Sequence, residues 1–375
     1  MADVPPDINS AAIYRVYWLY WRLMGVESNC QLVDVLMNIF VTFLFPFHLL
    51  IGLLGQRSLS NIFENLPITA ACFFCSVKIL CIRPKLKEIK IVERLLGELD
   101  KRANSWEERK YFDEVIRPQA NFVWKSFLVA YFSTVIMATA TVSMAGGRQM
   151  LYPAWFPYDV QATALRYWLS FGYQAVGNAL TVLQNLTNDS YPPMTFCVVA
   201  GHVRMLALRI ARIGQAGESA ASNYKQLIDC IKDHQKLMEI VQRLRGTLHL
   251  ALLSQFVASC INISIVLIFV LFFSESTFVS IYYSLYFAAM VLEFFPLCYY
   301  GSLLTFEFAA LPYALFSCSW PDMDRRFCRH VSILMQMTLS EVTIKAGGFL
   351  CIDMNAFFAT VRAAYSLFTL AMTFR

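Results

Sequence analysis

The chain has 375 residues, 58% of them hydrophobic and only 15% charged, with a mean hydropathy of +0.51. Soluble domains run near ~45–50% apolar and ~25% charged, so this composition specifies an integral membrane protein. The apolar sequence supplies about seven spans of ~20 residues with two sizeable polar connections. The formal net charge of +5 is not a nucleic-acid signal, because the basic residues gather in particular connections. No Ser/His/Asp or Cys/His constellation converges, the five histidines are scattered, and neither a zinc motif nor a Gly-rich phosphate loop appears. An enzyme is therefore not expected, nor is a cofactor. The eleven cysteines fall in spans or in connections assigned below to the cytoplasm, so no external disulfide framework is implied. Cys72 and Cys75 lie in an apolar span with no His or further Cys nearby, which reads as structural rather than metal-binding.

The polar start MADVPPDINS lacks the features of a cleavable signal peptide, and the first span is expected to act as its own insertion signal. Residues 1–34 are amphipathic, with Tyr14, Tyr17, Trp18, Tyr20 and Trp21 beside Arg15 and Arg22. That pattern suits either the bilayer interface or packing on the bundle. The first span is placed at 35–54, with Pro46 inside, and the second at 66–82, with Lys78 near its inner end and able to snorkel. Residues 83–119 are strongly charged. The helical spacing of Ile89, Val92, Leu95, Leu96 and Leu99 predicts a helix continuing from the second span.

The third span is placed at 122–146, followed by the aromatic, Pro-rich loop LYPAWFPYD. Residues 167–212 are helical by pattern but interrupted by Asn185, Asn188-Asp189 and Pro192-Pro193. They predict a long bent fourth helix whose outer half lines a cavity, since irregular polar backbone at membrane depth must face protein or water. Asn185 and Asn188 match the glycosylation acceptor pattern but fall too deep to be modified. Residues 204–249 form a second basic connection, and the fifth and sixth spans follow at 248–273 and 278–304, with Glu293 and Pro296 in the sixth. This divides the chain into residues 1–306, holding six spans, and residues 307–375, holding an anchor segment and the last helix. Residues 346–375 are apolar almost throughout but include Asp353 and Arg362. An ionisable residue in a membrane helix is costly unless it faces protein or water, so this helix is expected to face an assembly interior or a pore.

Connections on one side (1–34, 83–117, 204–245 and 325–329) hold 23 Lys and Arg, against 4 on the other. The positive-inside rule places the N-terminus in the cytoplasm and the C-terminus outside, opposite to a G-protein-coupled receptor. Asp324-Arg325-Arg326 is accordingly read as a helix start. No pair of related halves with matching broken helices points to a transporter.

The segment LSEVTIKAGGFLCIDMNAFFATVRAAYSLFTL, residues 339–370, resembles the C-terminal signature of the insect odorant receptor family. The match is strongest from Trp320 to Phe374 and departs at Glu341-Val342, where many members have Lys-Pro. Upstream, the likeness is one of topology. The resemblance implies an all-α, seven-helix membrane protein and a subunit of a ligand-gated, non-selective cation channel. It further implies four subunits, each giving its seventh helix to a central pore, and a tuning role beside a shared odorant co-receptor. The expected location is the cell membrane, in a sensory neuron dendrite. The chain lacks the co-receptor's long insertion and its characteristic ending. Aligned on Tyr365, the gate falls on Phe368 and the constriction near Ala371 and Met372, hydrophobic side chains suited to gating by dewetting. Phe368 and Met372 packing against neighbours is the other reading. The odorant pocket of the family maps onto Phe73, Phe74 and Val77 in the second span and Ile136, Met137, Ala140, Thr141 and Met144 in the third. In the fourth and sixth it maps onto Tyr173, Gly177, Asn178 and Thr181, and onto Tyr282, Tyr283 and Tyr286. Such a wall suits a small, uncharged volatile, with no Lys, Arg, Asp or Glu expected to meet an ionic ligand. A gustatory-type channel is the nearest alternative, and the Ala364-Tyr365-Ser366 ending favours the odorant branch.

Overall fold

The computed structural model describes residues 7–25, 31–144, 148–152, 154–215, 217–272 and 277–373. Among these the chain is helical nearly throughout. In order, the helices are α1 (Ser10–Leu23), α2 (Gln31–Asn38), α3 (Phe45–Leu54), α4 (Leu59–Ile82), α5 (Leu86–Asp100), α6 (Trp106–Tyr111) and α7 (Arg117–Met144). They continue as α8 (Ala164–Arg212), α9 (Ala220–Phe272), α10 (Thr277–Ser317), α11 (Arg325–Thr338) and α12 (Met354–Thr373). A π turn over Ile39–Leu44 joins α2 to α3, and Pro46 follows it in the first turn of α3, where the widened turn accommodates the missing N–H. Six segments among the described residues are long and apolar enough to cross a bilayer, and the 20 residues of α12 supply the length of a seventh.

The fourth span is one uninterrupted helix of 49 residues, with Pro192 and Pro193 inside it. Its hydroxyls bond back to the carbonyl four residues earlier: Thr181 to Gly177 and Ser190 to Leu186, at 2.9 and 2.6 Å. These local bonds absorb polarity without breaking the helix. Residues 185–203 of α8 are all buried, because α10, α7 and α9 pack around it. Asn185 and Asn188 are buried in this run.

The charged end of the bundle holds most of the core. Ile89, Val92, Leu95, Leu96 and Leu99 are the buried face of α5, as their spacing predicts. α1 packs on the bundle: Tyr14, Tyr17 and Trp21 are fully buried and surround Tyr191 of α8, with ring centroids 5.9, 5.5 and 5.3 Å away. Ser10 starts this helix by donating its backbone N–H and its hydroxyl to the Asp100 carboxylate, both at 2.8 Å. Arg209 of α8 bridges Glu108 of α6 at 2.8 Å and Asp233 of α9 at 2.5 Å.

The tail differs from the sequence expectation in one respect. Residues 345–351 form a two-stranded hairpin, Lys345–Ala346 against Leu350–Cys351, turning on Gly347 and Gly348 at φ +61 and +83, where glycine avoids the Cβ clash. Asp353 then caps α12, accepting from the Ala356 N–H at 2.7 Å. Asp353 is therefore a helix-start residue, not a charge within the span. Ile352, just after the hairpin, lies against α10 at Gly301, where a Cβ would stand 2.4 Å from the Ile352 carbonyl oxygen.

One ionic cluster ties five helices at mid-bundle. Lys78 of α4 pairs with Asp189 of α8, and its Nζ donates to Gln255 Oε1 of α9 at 2.8 Å. It also stands 3.7 Å from Glu293 of α10. Tyr131 of α7 donates its phenol to the second Asp189 oxygen at 2.6 Å, and Gln255 donates its amide N–H to Glu293. Lys78 thus does not snorkel: it is buried and points inward. Removing one partner of a buried pair strands the other charge and costs about 3–5 kcal/mol, whereas replacing both by apolar residues is often neutral. Lys78→Met should therefore lower the thermal stability of the solubilised protein sharply, and Lys78→Met combined with Asp189→Leu and Glu293→Gln should recover most of the loss. Equal melting temperatures for Lys78→Met and the unsubstituted chain would contradict this role.

Candidate functional site

Directly above the ionic cluster lies a cavity of about 580 Å³, large enough for a small organic molecule. Four apolar spans and part of a fifth converge on it, each contributing one helical stripe. α4 contributes Pro67, Ile68, Ala71, Cys72, Phe74 and Lys78, and α7 contributes Tyr131, Thr134, Val135, Ala138 and Val142. α8 presents Asn178, Thr181, Val182 and Asn185, residues at i, i+3, i+4 and i+7 that share one face. Ala258 and Asn262 come from α9, while α10 adds Tyr282, Tyr283, Tyr286, Ala289, Met290 and Glu293.

The roof is the segment Gln149–Tyr152, tied down by α8. Gln174 accepts from the Leu151 N–H and donates to the Tyr152 carbonyl, both at 3.1 Å, and Tyr167 donates to the Gln149 carbonyl at 3.0 Å. Tyr152 is buried against Phe45 and Cys72, and this burial raises its phenol pKa well above the ordinary value, keeping it neutral.

The upper wall is aromatic. Tyr283 packs on Phe269 at a tilt with centroids 4.1 Å apart, and Tyr282 meets Tyr283 edge-on at 4.9 Å. The floor is polar. By the ~1.5 Å rise per helical residue, Asn185 stands about 6 Å above Asp189, and Tyr286 about 10 Å above Glu293. Asn185 is only 7% exposed, and its side chain has no hydrogen-bond partner among the described residues. Neither the Tyr286 hydroxyl nor Asn262 Oδ1 has one.

Six of the residues read from the sequence stand on this wall: Phe74, Asn178, Thr181, Tyr282, Tyr283 and Tyr286. Others do not. Phe73 and Ile136 turn outward, 57% and 62% exposed, while Val77, Met137 and Ala140 are off the wall on the same two helices. A one-residue shift rotates a helix face by about 100°. Because α7 is apolar on all sides, its sequence carries no mark of which face is inward. Tyr173 and Gly177 belong to a neighbouring contact: Tyr173 packs on Phe45 at 5.9 Å, and a Cβ on Gly177 would stand 2.1 Å from the Phe45 ring. Glycine is needed there for α3 to approach α8. The side chains of Thr141 and Met144 lie outside the described residues.

The expectation of a wall without ionisable groups is corrected. Lys78 and Glu293 both line the cavity. Their signal in the sequence is plain in retrospect, since Lys78, Asp189 and Glu293 each interrupt an apolar span and such residues at membrane depth seek one another. In α12, Ala364 and Phe368 are buried one turn apart, and the Ala364 carbonyl accepts from Ser264 of α9 at 3.1 Å. Phe368 therefore faces its own bundle, while Val361, Tyr365 and Leu370 are exposed. The side chains of Ala371 and Met372 lie outside the described residues.

Comparison with known proteins accords with this architecture. The family model of the 7tm odorant receptors matches residues 58–365. Odorant receptors 33b and 33a of Drosophila melanogaster are 56% and 53% identical to the chain, across 99% and 100% of both partners. Odorant receptor 59a of the same species is 31% identical over the full length of both. The solved structure of the insect olfactory receptor OR5 from Machilis hrabei, in complex with eugenol, shares the fold. Its TM-score is 0.83 at 15% identity, over 97% of this chain and 98% of that one. With its membrane-spanning helices and this match over most of its length, the chain is a multi-pass membrane protein and belongs to the 7tm odorant receptor family.

Proposed function

We propose that the chain is the odorant-tuning subunit of a ligand-gated, non-selective cation channel, and that a small volatile binds in the cavity above Lys78. The observation that carries this is an aromatic-walled cavity of about 580 Å³ inside a member of the odorant receptor family. The partner is the odorant co-receptor subunit, in a four-subunit assembly of the cell membrane at the sensory dendrite. The lysine and arginine distribution supports a cytoplasmic N-terminus, which puts the cavity in the outer half of the bundle.

Phe74, Tyr282, Tyr283 and Tyr286 supply the contact area, and Asn178, Thr181 and Asn185 orient a polar atom. A route to the last helix begins at the wall itself. Met290 lines the cavity and packs in one cluster with Ile263 of α9 and Ala364 of α12, with Tyr286 against it. A ligand that displaces Tyr286 and Met290 changes the surface on which α12 rests. It drives opening only by binding the open arrangement more tightly than the closed one. The exposed face of α12, carrying Val361 and Tyr365, is the face available to a pore. Phe368 holds the opposite face to the bundle, and Ala371 and Met372 follow at the constriction.

Whole-cell current tests this reading. Cells expressing the chain with the co-receptor should give a rapid inward cation current to a panel of small aromatic volatiles, persisting when G-protein signalling is blocked. Tyr286→Ala should raise the half-activating concentration at least tenfold, and Phe73→Ala should leave it within about twofold. A current carried only through G-protein signalling would refute the channel assignment. Equal sensitivity of the two variants would refute the cavity assignment.

A further inference from the structure

We propose that the cavity is selective for small aromatic amines, with the ligand's ammonium held at the floor by Glu293 and its ring among the tyrosines of α10. The inference rests on the cavity being the ligand site. Its first support is a charge count. At the floor, one ammonium, Lys78, faces two acids, Asp189 and Glu293, among the described residues. Lys78 gives its close contact to Asp189, and Glu293 stands farther off at 3.7 Å. Two carboxyls crowd a single cation, and their demand for positive charge is only half met. Of the two, Glu293 lines the cavity, whereas Asp189 does not.

Two further features point to the same chemistry. Asn185, 7% exposed and with no hydrogen-bond partner on its side chain among the described residues, lines the cavity within about two helical turns of this floor and offers an acceptor oxygen to an N–H. Above it, Tyr282, Tyr283 and Tyr286 line the wall within little more than one turn of α10. Their ring faces attract a cation as it passes, and the attraction is stronger away from water. Glu293 has a neutral donor in the Gln255 amide and only a distant cation in Lys78, and a buried carboxylate short of a cation is costly at membrane depth, so an ammonium that completes the pairing gains more here than a neutral head group. Where Glu293 carries a proton, the free amine accepts it: the O–H bond breaks, the N–H bond forms, and the resulting ammonium carboxylate has the same net charge as the separate neutral partners.

Benzylamine, benzyl alcohol and benzaldehyde share a phenyl body and differ only in the head group. Their dissociation constants for the purified full-length chain in lipid nanodiscs test the proposal by thermal stabilisation at neutral pH. Benzylamine should bind at least tenfold more tightly than either neutral compound. In Glu293→Gln, which removes the charge and keeps the shape, the preference should fall below threefold. Equal binding of the three compounds to the unsubstituted chain, binding of none, or a preference that survives Glu293→Gln would each overturn the proposal. Currents evoked only by neutral volatiles would also overturn it while leaving the channel reading intact. Amine binding to the nanodisc protein with no evoked current would do the reverse.

Discussion

The structure depends on one buried cation. Lys78 stands at mid-bundle with its ammonium against Asp189, Gln255 and Glu293, and at that depth an unpaired charge is too costly to leave. Satisfying it requires α4, α8, α9 and α10 to arrive with those residues at one level, and Tyr131 brings in α7 through Asp189. The cluster therefore sets the vertical register of five helices that otherwise present interchangeable apolar surfaces. Hydrophobic contact alone does not set register in a membrane, because lipid tails are as apolar as the side chains.

The cavity follows from that register. Above the cluster the helices diverge enough to leave space, and the stripes one or more turns above Lys78, Tyr131, Asp189 and Glu293 become its wall. Below the cluster the same helices close into a continuous core that includes α1 and α5. Arg209, Glu108 and Asp233 then knit the charged end. The bundle thus has a closed base and a hollow upper half, and the strap from Gln149 to Tyr152 covers the hollow. α12 touches this arrangement along one face, through Ala356, Ala364 and Phe368, while Val361, Tyr365 and Leu370 are exposed.

Much of this was legible in the sequence. The spans, the continuation of α4 into α5 and the amphipathic face of α5 follow from composition and the spacing of Ile89 to Leu99. The three tyrosines of α10 and the pair Asn178 and Thr181, mapped from the family resemblance, stand on the cavity wall. Phe73 and Ile136, mapped in the same way, turn outward, because a large apolar side chain is equally at home against lipid or in a cavity and its identity says nothing about direction. Lys78 was read by itself, as a cation near a helix end. Its partners lie 111 and 215 residues further along the chain, and no local pattern links them. Asp353 looked like a membrane charge because the hairpin over 345–351 and the cap at the start of α12 are set by backbone turns that an apolar stretch conceals.

The face of α7 carrying Ala138, and not the face carrying Ile136, looks into the cavity. The most direct test is cysteine substitution at each position in the channel complex, with a water-soluble methanethiosulfonate reagent applied from outside. Currents evoked by an activating volatile are compared with those of the unsubstituted chain, since Cys72 also lines the cavity. Ala138→Cys should lose its response on modification, and prior occupation by the volatile should slow that loss. Ile136→Cys should behave as the unsubstituted chain does. Ligand-protected modification at position 136 with none at 138 would contradict this orientation of α7.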